Sequence, residues 1–187
     1  MKKLIAGALF CAFSFGLLAS TASPYSGQQN RQIKALSQQQ IEGYINGHGL
    51  GYAKAAELNH YPGPKHVLET AQQLSLSEQQ LHQTQALFET MKIEASELGQ
   101  LFIEKERQLD RGFSEGALDA DSLQTLLLDI GALQARIRHV HLNAHLSQRG
   151  ILTDAQVQMY DQLRGYGAGS EHSAHHESPP SGHQHGH

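Results

Sequence analysis

Leu76-Ser77-Glu78-Gln79-Gln80 and Leu152-Thr153-Asp154-Ala155-Gln156 are the two stretches that decide how this chain folds. Both read Leu-(Ser/Thr)-x-x-Gln. The pattern specifies a helix start: the hydroxyl oxygen accepts a backbone N–H from the first turn. The Gln three residues on reaches back to the cap's own N–H and closes a capping box. A third copy, Leu36-Ser37-Gln38-Gln39-Gln40, lies upstream.

Working outward from Gln80, apolar residues recur at Leu81, Phe88, Ala95, Phe102 and Leu109, with Met91 and Leu98 between them. The alternating steps of three and four make a heptad-like stripe. It predicts a helix from Glu78 to Arg111, roughly 50 Å long at 1.5 Å per residue, ended by Gly112 and Gly116. Asp119 or Asp121 caps the next helix, whose stripe is Leu123, Leu126, Ile130, Leu133, Ile137, Val140 and Ala144. Gly150 is expected to end it as a left-handed C′ residue. The last box opens a helix from Asp154 to Leu163. Pro62-Gly63-Pro64 is a stop that opens a shorter helix from Lys65 to Leu74. No segment alternates with period two, so no sheet is expected. The fold class is all-α: a long antiparallel helical hairpin with shorter flanking helices. Two helices alone leave much apolar surface open, so a homodimer is expected as well.

The ends read differently. Lys2 and Lys3 precede an apolar run from Leu4 to Leu18 and then small residues Ala19 to Ser23. This is a secretory signal peptide over 1–23, too short for a comfortable transmembrane span. Cys11 follows Phe10 rather than a small residue, so it does not make a lipobox. Cleavage removes the only cysteine, and with it any disulfide or thiolate metal site. Without Lys2 and Lys3 the 14 basic residues fall to 12 against 18 acidic ones, a net charge of −6 with His neutral. That balance argues against a nucleic-acid partner. No other segment is apolar enough to span a membrane, so a mature chain secreted through the signal peptide is expected. Residues 24–64, rich in Gln, Gly and Pro, read as a flexible lead with short helical turns. Residues 65–166 are the hairpin domain. Residues 167–187 are a low-complexity tail expected to be disordered.

At Leu76, Ser77 and Gln80, and again at Leu152, Thr153 and Gln156, with a hairpin between them, the chain resembles the Spy/CpxP family of periplasmic proteins. Ser77 stands where Thr is usual. The stretches Gly49–Lys54 and Pro62–Glu69, His141-Leu142-x-x-His145-Leu146 and Leu163-Arg164-Gly165-Tyr166 are similar to the zinc-resistance-associated and periplasmic heavy-metal sensor members. The resemblance implies a four-helix, cradle-like, dimeric fold. It also implies either ATP-independent holding of unfolded envelope proteins or metal binding coupled to envelope stress.

Metal binding is the sharpest chemistry in the residues. His141 and His145 stand at i, i+4 on one helix face, a spacing that lets two imidazoles share an ion. His66 and Glu69 stand at i, i+3 on the short helix, and Glu57 and His60 repeat that spacing upstream. Packing of the short helix against the end of the second long one would gather His66, Glu69, His141 and His145 into an N₃O set. Such a set suits a divalent transition metal, Zn first, with Ni, Co or Cu as alternatives. In the tail, His172, His175, His176, His183, His185 and His187 form a weaker, separate binding segment.

A second reading is a metal-independent holdase, or a regulator docking on a membrane-bound signalling protein. Its client contacts would be Phe88, Met91, Leu98, Leu101 and Phe102, unless these are hairpin core. The chain has no His-Glu-x-x-His, no Gly-x-Ser-x-Gly and no phosphate loop, and Gly47-x-Gly49-x-Gly51 lacks both the spacing and the strand of a dinucleotide site. No enzymatic activity is expected.

Overall fold

The computed structural model describes residues 23–167. The signal-peptide reading of 1–23 and the six tail histidines therefore lie, but for Ser23, outside the described residues. A 3₁₀ turn at Gln28–Asn30 precedes six helices: α1 (Gln38–Ile45), α2 (Lys54–Glu57), α3 (Pro64–Glu69), α4 (Glu78–Ser114), α5 (Ala120–Ile151) and α6 (Asp154–Leu163). No strand occurs among the described residues. No described helix is long and apolar enough to cross a membrane.

All three Leu-(Ser/Thr)-x-x-Gln stretches form complete capping boxes, at Ser37/Gln40, Ser77/Gln80 and Thr153/Gln156. Asp119 and Ser122 make a fourth at the start of α5. The boxes at the foot of the hairpin also bond to each other. The Gln80 amide nitrogen donates to Gln156 Oε1 at 2.9 Å, and the Gln156 nitrogen donates back to Gln80 Oε1 at 3.0 Å. Gln80 donates further to the Ile151 carbonyl and Gln156 to that of Leu74. Leu74, Leu152, Val67, Val157 and Tyr160 pack into a small core around this pair.

The main core lies between α4 and α5. Met91, Ala95, Leu98 and Phe102 meet Ile130, Leu133, Ile137, Val140 and Ala144, as both stripes predict. The boundaries differ in three places. Helix α3 stops at Glu69 rather than Leu74, because Thr70 leaves the helical conformation and its hydroxyl donates to the His66 carbonyl at 2.8 Å. Helix α4 runs through Gly112 to Ser114, because Gly112 is where the returning chain crosses: a Cβ there would stand 2.6 Å from Leu118 Cγ. Gly150 is not a left-handed terminator but lies within α5. The chain passes from Ile151 through extended Leu152 straight into the Thr153 cap, so the next capping box ends the helix instead.

The segment read as a flexible lead packs closely against the hairpin from Ile33 onward. Ile33, Leu36, Ile41 and Tyr44 are buried in the main core. Tyr44 packs against Phe102 with ring centroids 4.5 Å apart and planes tilted by 45°, and shares a hydroxyl hydrogen bond with Tyr52. The crossing needs Gly99, since a Cβ there would lie 2.4 Å from the Tyr44 carbonyl oxygen. A mid-helix glycine costs roughly 1 kcal/mol relative to alanine, and this contact explains its presence. Gly99→Ala is expected to lose about 1–3 kcal/mol by overpacking despite its better helix propensity. Urea denaturation followed by circular dichroism reads that loss.

Candidate metal centre

The arm formed by α1, α2 and α3 lies along α4 and against the C-terminal half of α5. Between them is a cleft of about 520 Å³. The loop Asn46–Gly51 forms one wall, Gly63–His66 another, and Phe88, Met91, Lys92, His141 and His145 the floor. The bends at Gly47 and Gly51 are left-handed, and Gly47 also admits the Lys92 carbonyl, which a Cβ would meet at 2.4 Å.

His141 and His145, one turn apart on α5, are both buried. His141 is 3 % exposed and lies parallel to the Tyr52 ring, with 6.4 Å between centroids. Its Nε2 has no hydrogen-bond partner among the described residues. Burial, and then the neighbouring His145, push its pKa down to about 4. The imidazole is therefore neutral at pH 7, the form that ligates metal.

His145 Nδ1 is 2.7 Å from the Tyr61 carbonyl oxygen. A carbonyl only accepts, so Nδ1 carries a proton, and in the neutral ring the lone pair is on Nε2. A metal-ligating histidine is oriented in the same way. Nε2 faces Gly63, where a Cβ would come within 2.9 Å of it. Backbone without a side chain is what lets the arm close over this ring.

His66 lines the same cleft, so α3 does meet the end of α5 as the N₃O reading requires. Glu69 does not join it. Its carboxylate is turned to Lys65 Nζ at 2.8 Å and to His66 Nδ1 at 2.7 Å. Lys65 first, then His66, hold it below its usual pKa. Among the described residues no three His, Asp or Glu side chains stand close enough to hold one ion. The described donor set is thus a pair of α5 imidazoles with His66, and also His48, on the cleft walls.

The client-contact candidates are mostly interior. Leu98 and Phe102 are core, Met91 is core at the cleft floor, and Phe88 is partly buried there. Leu101 alone is open, at 54 % exposed. The family-motif residues cap helices and clasp the hairpin foot rather than line the cleft.

One residue of consequence escaped the site reading. Glu57 is half-buried behind the cleft wall, and its Oε1 accepts from Tyr160 Oη at 2.7 Å, Arg164 Nε at 3.2 Å and Tyr166 Oη at 3.3 Å. The Glu57/His60 spacing was the available signal, but the two side chains part company: His60 pairs with Asp161 at 2.8 Å.

Compared with known proteins, this chain matches no family model, no curated protein and no solved structure.

The low pKa of His141 has a stability consequence for the metal-free protein. The unfolded chain takes up its proton near pH 6.5, whereas the folded state resists until about 4. Stability is thus fully present above about pH 6.5, is lost as pH falls toward 4, and levels off below. Between pH 7 and 5 the loss is about 2 kcal/mol. Urea midpoints measured in chelator are expected to fall over that range in the wild type, and to flatten in His141→Leu.

Proposed function

We propose that this chain is a periplasmic heavy-metal-binding protein of the envelope stress response, acting as a metal sensor or a metal-responsive chaperone. One observation carries the reading. Two buried imidazoles share a cleft floor: His141, neutral, has a partnerless Nε2, and His145 has its Nδ1–H bound to a backbone carbonyl, which leaves Nε2 as the nitrogen it can offer an ion. A buried nitrogen without a partner costs free energy in the apo protein, and an ion on it would recover that cost. The resemblance to the Spy/CpxP family, carried by the capping boxes and by His141-Leu142-x-x-His145, adds to this.

His141 and His145 would supply two nitrogen ligands and the ion would act as a charge held between α5 and the arm. Imidazole ligands suit Zn(II), with Ni(II), Co(II) and Cu(II) as alternatives. The homodimer belongs to the same proposal. Leu128 and Phe113, 66 % and 64 % exposed on the two long helices, are apolar surface that a second copy would cover. The metal-independent holdase reading has less behind it, because most of its contact residues are core.

Calorimetric titration of Zn(II), Ni(II) and Cu(II) into the mature chain tests the reading. A first equivalent bound at micromolar affinity or better is expected. The His141→Ala/His145→Ala double variant is expected to weaken it at least tenfold while keeping its helical circular dichroism. Unchanged first-site affinity in that variant contradicts the proposal.

A further inference from the structure

A divalent ion on His141 and His145 brings two positive charges to a buried site. Imidazoles ligate through a lone pair and bring no charge of their own. An uncompensated charge in such a place is costly, so a carboxylate nearby matters. Glu69 is already taken by Lys65 and His66. The two oxygens of Glu57 do different things. Oε1 accepts from Tyr160, Arg164 and Tyr166. Oε2 is buried with no hydrogen-bond partner among the described residues, and it lies 3.8 Å from His145 Nδ1.

That oxygen stands beside the ring nitrogen that does not ligate. Nδ1 donates to the Tyr61 carbonyl at 2.7 Å, and Oε2 is the next acceptor within reach of it. Gly63 keeps the space between them free of a side chain: a Cβ there would stand 2.9 Å from the His145 ring and 3.6 Å from Oε2. Arg164 does not cancel the carboxylate's charge at the imidazole. Its side chain is 32 % exposed against 13 % for Glu57, so water screens the guanidinium more than the inward-facing oxygen. An ion on Nε2 makes the ring more positive and Nδ1–H a stronger donor, which strengthens its attraction to a carboxylate behind it.

We propose that Glu57 is the positioning residue and counter-charge of the metal site: acting through His145 Nδ1–H, it orients the imidazole and makes the cleft favour a divalent over a monovalent ion. The proposal rests on the metal-binding reading above and adds to it a charge preference that two imidazoles alone do not supply. The attraction between the carboxylate and the ion scales with the ion's charge. The logarithm of its effect on affinity is therefore twice as large for Zn(II) as for Ag(I), both of which imidazole nitrogen binds. A carboxylate that merely tied α6 to the arm would move both affinities alike.

The test uses the mature full-length chain with Zn(II) and Ag(I) as probes, in chloride-free buffer, and reads first-equivalent affinity by calorimetry. Glu57→Gln keeps the side chain's size and removes its charge. It is expected to weaken Zn(II) about tenfold or more. Half the ionic charge gives the square root of that factor, about threefold for Ag(I). Arg164→Gln removes a positive charge from Oε1 and leaves Oε2 in place, so it is expected to bind Zn(II) as tightly as the wild type or more tightly. Unchanged Zn(II) affinity in Glu57→Gln, or equal fold losses for the two ions, overturns the proposal. Should Glu57→Gln lose its helical circular dichroism, Arg164→Gln decides alone, and weaker Zn(II) binding there overturns the proposal. In each of these cases, loss of the site in His141→Ala/His145→Ala leaves the metal-binding reading standing. A wild type that binds no first equivalent, or a double-histidine variant that binds it unchanged, removes both readings.

Discussion

Everything at the closed foot of this molecule hangs on one amide pair. Gln80 and Gln156 each finish a capping box on their own helix and then exchange hydrogen bonds with each other. Their remaining N–H groups take the Ile151 and Leu74 carbonyls, so both amides are satisfied in a part-buried setting. Each such bond contributes roughly 1 kcal/mol net, while an orphaned buried amide costs about 1–3 kcal/mol. The clasp fixes the starts of α4 and α6 and the end of α5 relative to one another. Thr84 and Gln148, buried one turn up and hydrogen-bonded at 3.1 Å, continue the registration into the hairpin. One turn further along α5 lies His145, and the next turn carries His141. The position of the two imidazoles therefore follows from the repeated motif.

The arm completes what the hairpin begins. Without it, His141 and His145 would lie on an open helix face with ordinary hydration. The arm's loop and the Gly63 backbone cover them, and desolvation then keeps His141 neutral. Glycine is needed at the two closest approaches, Gly47 over the Lys92 carbonyl and Gly63 over the His145 ring. The same arm delivers Glu57, which ties the end of α6 to the back of the cleft. Core, cleft and the end of α6 are thus joined through a few side chains whose packing is mutually dependent.

The long helices were legible because their signals are local: a cap, a stripe and a stop within the same stretch of chain. The α5 stripe and the i, i+4 histidines follow from 3.6-residue periodicity alone. What was not legible depends on contacts distant in sequence. Ile33, Leu36, Ile41 and Tyr44 are too sparse to show a period, yet together they cover one face of the hairpin. Gly150 carries the composition of a helix end, and only the immediately following capping box shows why the helix does not turn there. Phe102 and Leu98 look alike as core or as a contact surface until the arm is laid over them. Glu69 was placed with His66 by spacing, and its capture by Lys65 is a rotamer choice that sequence does not encode.

The clasp is the claim from which the rest follows, and a double-mutant cycle measures it directly. Gln80→Ala, Gln156→Ala and the double variant are compared with the wild type by urea denaturation. The account predicts that each single change is destabilising and that the two are coupled by about 1 kcal/mol or more, because removing one amide already orphans the other. Additive losses, within about 0.3 kcal/mol, would mean that each glutamine serves only its own helix cap. That result would contradict a foot held shut by the pair.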